Sequence, residues 1–98
     1  MKEKLFGAVY NLVGSSSLKI RLSNAYGDIA YIPEETVPFE IKKQFRDVMQ
    51  PIRVSKAHDV SGKIKKAVGK MTIADQRSMA LMILGMYSTL SDCIDLER

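Results

Sequence analysis

Apolar residues recur three and four positions apart in segment after segment of this chain, a spacing that points to helices packed through one face each. Leu5, Phe6, Val9, Leu12 and Val13 make one stripe if residues 2–13 are helical. Leu18, Leu22, Ala25, Tyr26 and Ile29 make a second over 18–31, with Arg21, Asn24 and Asp28 opposite. Ile41, Phe45, Val48, Met49 and Ile52 make a third on a helix over about 37–50. Only Leu18–Leu22 alternates strictly, as a strand would, and the helical spacing continues well past it. The expectation is an all-α fold, a small bundle of four to five helices.

The breaks fall where such helices need ends. Gly14 follows the first stripe, and Ser15, Ser16 and Ser17 offer an N-cap to the next. Thr36 is the N-cap expected for the third helix, Glu40 suits its positive end, and Pro51 is expected to stop it. Residues 53–61 read as the loosest stretch, followed by a short helix at 63–70 that contains Gly69. Thr72 and Asp75 have the spacing of a capping box, which opens a last helix from Ile73 to about Ser91. One helical domain over residues 1–98 is expected, with 92–98 a frayed tail.

Several chemistries are poorly provided for. The single cysteine, Cys93, permits no internal disulfide. With His58 as the one histidine, a four-ligand zinc site is not expected, and His58 itself reads as a polar-loop residue rather than a catalytic base. The stretch from Ile64 to Met71 fails the phosphate-loop pattern, with Ile64 at the first glycine position and Met71 in place of Ser/Thr. No enzyme activity, cofactor, metal or small-molecule substrate is expected. The longest apolar stretch, Met79–Tyr87, falls well short of the roughly 20 residues of a membrane span. No signal peptide is read at the start, so the expected location is cytoplasmic.

Two surfaces invite a partner. The net charge of +4 is concentrated in residues 53–70, where Arg53, Lys56, Lys63, Lys65, Lys66 and Lys70 face Asp59 alone, while the rest of the chain is nearly neutral. Clustered lysines can neutralise phosphates, so nucleic-acid binding through these six residues is one reading. No aromatic residue lies among them to stack on a base. The second surface is apolar. The main stripe of the last helix is Ile73, Met79, Ala80, Ile83, Leu84, Met86, Tyr87 and Leu90, which leaves Leu81 and Met82 on another side, with Gly85 open to close approach. A helix apolar around most of its circumference is either central in its own fold or covered by a partner. Leu81, Met82 and Gly85, with Met86 and Tyr87 at the border, are therefore expected to form a protein interface. Ile20 and Tyr31, outside their own stripe, are a lesser candidate contact.

The order of Lys4–Leu12, Leu18–Tyr26, Pro38–Phe45 and Met82–Tyr87 resembles small bacterial all-helical proteins of unassigned activity. The resemblance covers about one third of the chain and implies a bacterial, helical protein and no particular chemistry. Together these readings lead to the expectation of a non-enzymatic interaction module. It would be an accessory, regulatory or immunity-type subunit that self-associates or binds a partner protein. The alternative is a small basic nucleic-acid-binding protein.

Overall fold

The computed structural model describes the backbone of residues 2–96 and the side chains of residues 3–90. Its described residues form five α-helices and no strand: α1 (Lys2–Leu12), α2 (Leu18–Ile29), α3 (Phe39–Arg53), α4 (Val60–Lys70) and α5 (Ile73–Leu96). A 3-10 turn at Glu34–Thr36 precedes α3. Leu18–Leu22, the alternating segment, lies in α2.

The helix ends are fixed by side chains that take up unpaired backbone groups. Ser17 caps α2 by accepting from the Ile20 N–H. Arg21 reaches back to the end of α1, donating to the carbonyl oxygens of Leu12 at 2.7 Å and Ser16 at 2.8 Å. It thereby ties the first connection to α2. Asp59 caps α4 by accepting from the Gly62 N–H at 2.7 Å. The Thr72–Asp75 capping box forms in both directions: Asp75 Oδ2 accepts from the Thr72 N–H, and Thr72 Oγ1 from the Asp75 N–H.

Four boundaries differ from expectation. Thr36 is not the cap of α3; it ends the 3-10 turn, where its hydroxyl donates to the Pro33 carbonyl, and the chain turns helical only after Pro38. Pro51 lies inside α3 rather than ending it. Proline removes one helical hydrogen bond, but Ile52 just beyond it is buried, and that burial carries the helix on to Arg53. α4 starts at Val60, three residues before the expected start, because Asp59 supplies the cap. α5 continues to Leu96, past the expected end at Ser91. Side chains of the expected frayed tail, 92–98, lie outside the described residues, as do residues 97–98 altogether.

α1 packs on α2 and α5; α4 packs on α2 and α3; α3 also packs on α5, and α2 touches α5 across the middle. The core draws on every helix, with Leu5, Leu22, Tyr26, Ile29, Ile41, Phe45, Val68, Ile83 and Met86 sealed from solvent. All five expected residues of α3, Ile41, Phe45, Val48, Met49 and Ile52, are buried.

Candidate protein interface

The stripe expected on α1 divides in two. Leu5, Ala8 and Leu12 turn inward, while Phe6 and Val13 are exposed, together with Tyr10. Phe6, Tyr10 and Val13 are spaced i, i+4, i+7, so they form one line along the outer surface of α1. α1 is short and is covered by only α2 and α5. Its inner face needs only the Leu5–Ala8–Leu12 row, and the second apolar row is left in solvent.

α5 continues this surface. The Phe6 and Tyr87 rings lie 5.9 Å apart and tilted by 48°, within the range of favourable aromatic pairs. Ser17 and Leu18, just beyond the end of α1, lie beside Ile73, Gln76 and Arg77 at the start of α5. α1 and α5 therefore run antiparallel. From Tyr87 the apolar surface passes to Leu84 and then to Leu81, each one turn back on the helix. Tyr10 is 70% exposed, Leu81 68% and Phe6 54%, so these are side chains largely free of their own fold.

The interface residues expected from sequence are placed differently from one another. Leu81 and Gly85 are exposed on the outer face of α5. Tyr87 is half-buried against Phe6, which puts it at the border. Met82 is half-buried and packs against the core, and Met86 is completely buried in it. Met82 and Met86 lie one turn apart on the inner side, where they fill space within the chain. Leu84 and Ile73, assigned by sequence to the buried stripe, are exposed instead. The buried positions of α5 include the polar Gln76, whose side-chain amide donates to the Met71 carbonyl.

Gly85, like Gly27 and Gly69, stands in open space. A Cβ built there meets nothing within 4 Å, so nothing in its own chain requires glycine. Glycine in a helix interior costs about 1 kcal/mol relative to alanine. Its backbone is left bare beside Leu81, one turn away.

The six cations of residues 53–70 have different surroundings. Arg53 is paired to Glu34 at 2.9 Å, and Arg46 pairs to the same carboxylate at 3.0 Å. The Lys66 ammonium donates to the Lys56 carbonyl at 3.2 Å and so closes the loop before α4. Lys65 lines a polar cleft of 630 Å³ with Asn11, Asn24 and Asp28, whose carboxylate accepts from the Asn11 amide. Lys70 lines a different cleft, of 390 Å³, with Pro51, Met71, Asp75 and Met79. Lys63 is half-buried, and Lys56 is exposed in the loop. His58 is exposed in that loop too. Lys63, Lys66 and Lys70, spaced i, i+3, i+7, share one side of α4, and Lys65 points about 100° away from Lys66.

Ile20 and Tyr31 are both exposed. Among the described residues, no group of three or more His, Cys, Asp or Glu is placed to hold a metal ion. No described helix is long and apolar enough to cross a membrane. Comparisons with protein-family models, curated proteins and solved structures find no match to this chain.

Proposed function

We propose that this protein is a non-enzymatic helical interaction module, an accessory or regulatory subunit that acts by docking another polypeptide on its α1/α5 face. One observation carries the reading: exposed apolar side chains on two packed helices, Phe6 and Tyr10 on α1 with Val13 just past its end, and Leu84 and Leu81 on α5, joined by the contact of the Phe6 and Tyr87 rings. Scattered single apolar residues on a surface are ordinary, whereas a contiguous patch on two packed helices is the usual form of an interaction site. Aromatic side chains suit the centre of such a site, since they bury much area at small entropic cost.

Nucleic-acid binding has less support. Arg53 and Lys66 already have partners within the chain, and Lys65 and Lys70 line separate clefts, each with a carboxylate. Sequence-independent phosphate binding gains with the number of cations presented together, and α4 presents three of the six, Lys63, Lys66 and Lys70, on one side.

The test is a photoreactive phenylalanine analogue placed at Tyr10 and, separately, at Lys63 in cells that make the protein. Covalent adducts to polypeptide are expected from position 10 and none from position 63. Adducts to nucleic acid from position 63, with none from position 10, would reverse the assignment.

A further inference from the structure

Leu81 is a largely exposed side chain, and Gly85, one turn along the same face, leaves a notch where a side chain would stand, with nothing of its own chain within 4 Å of an added Cβ. From this pairing we infer that the occupant of the α1/α5 face is a second copy of this chain, docked across a two-fold axis that sets each Leu81 over the other copy's Gly85. The inference rests on the interaction reading above and names its partner.

Three features of the molecule agree on a second copy. The first is self-complementarity. Around a two-fold axis, antiparallel α5 helices pair residues equidistant from the axis, so a contact of Leu81 with Gly85 is made twice. The same register sets Ser78 opposite Ser88, two exposed small residues that let the helices approach. A notch and a knob on one helix, in the order a two-fold axis needs, satisfy each other with no other surface involved.

The second is area. With about 150–250 Å² for a whole aromatic side chain, the exposed parts of Phe6, Tyr10, Val13, Leu81 and Leu84 amount to roughly 600 Å². A stable pair buries about 800 Å² on each partner. The apolar patch supplies most of that, and the serines and Gly85 between its residues supply more.

The third is charge. The described side chains of α1 and α5 hold Glu3 and Asp75 against Lys4 and Arg77, which balance. Two such faces therefore meet without net repulsion between the charges they carry.

The test is the molar mass by light scattering of the parent chain, of Gly85→Leu and of Gly27→Leu. Neither glycine has anything within 4 Å of an added Cβ, so both variants are expected to fold, and circular dichroism checks this. The parent is expected at twice its 11.0 kDa chain mass. Gly85→Leu fills the notch and should run as a single chain, although its surface is more apolar; Gly27→Leu should remain paired. A leucine that merely added hydrophobic area would strengthen association. A parent that stays monomeric at every concentration reached, or a Gly85→Leu variant that stays dimeric, overturns the inference. If the parent is monomeric but Tyr10 crosslinks to a different polypeptide in cells, only the second copy is lost and the interaction reading stands; if Tyr10 crosslinks to nothing, both fall.

Discussion

The Tyr26 hydroxyl donates a hydrogen bond to the backbone carbonyl oxygen of Val48 across 2.8 Å, joining α2 to α3 inside the core. The ring is completely buried, so this phenol could not be left unpaired without a desolvation cost. Tyr26→Phe keeps the ring and removes the bond, with an expected loss of about 1 kcal/mol. For a domain of this size, that lowers Tm by roughly 4–8 °C. Burial also pushes ionisation of the phenol far above its ordinary range. The folded value is the higher one, so the contribution is intact below about pH 10 and is lost as the pH rises beyond it. Thermal melts of parent and Tyr26→Phe should show a steeper alkaline decline in the parent.

Glu34 joins the turn before α3 to both ends of an Arg46–Arg53 pair on that helix. The hydrogen bond from Arg46, then that from Arg53, holds its carboxyl below the ordinary glutamate range. A lowered folded value gives stability that is present at neutral pH and lost as the pH falls through that value. Glu34→Gln should therefore melt below the parent near neutral pH and together with it in acid, with the difference reduced by salt. A gap that persists unchanged in strong acid would show that the carboxylate charge is not its source.

The Thr72–Asp75 box sets where α5 starts, and α5 carries half of the apolar face. Thr72→Ala removes one acceptor for a helix-end N–H and should cost about 1 kcal/mol in denaturant unfolding. The molar mass of the folded variant should match the parent's, because Leu81 and Gly85 lie more than two turns away.

Much of the fold is legible in the sequence. The α3 residues Ile41, Phe45, Val48, Met49 and Ile52 could be read directly, because one strong stripe faces a helix polar elsewhere. α1 could not be divided the same way. Phe6 and Val13 fit the buried pattern as well as Ala8 does, and only the number of neighbouring helices decides which row is covered. Leu81 and Met82 both stood out in sequence as exceptions to the stripe, with Gly85 between them and Met86 at the border; Leu81 and Gly85 are exposed, whereas Met82 packs against the core and Met86 is buried in it, as their angles around the helix require. The pairing of Arg53 with Glu34 and the contact of Phe6 with Tyr87 are tertiary, and no local pattern announces them.

The most direct test of the α1/α5 face uses two tyrosines that are almost equally exposed in the single chain, Tyr10 at 70% and Tyr31 at 66%. Hydroxyl-radical labelling of both is measured across a dilution series. Labelling of Tyr10 should fall as concentration rises, while that of Tyr31, on the connection after α2, stays constant. Constant labelling of both, or an equal fall in both, would contradict the account.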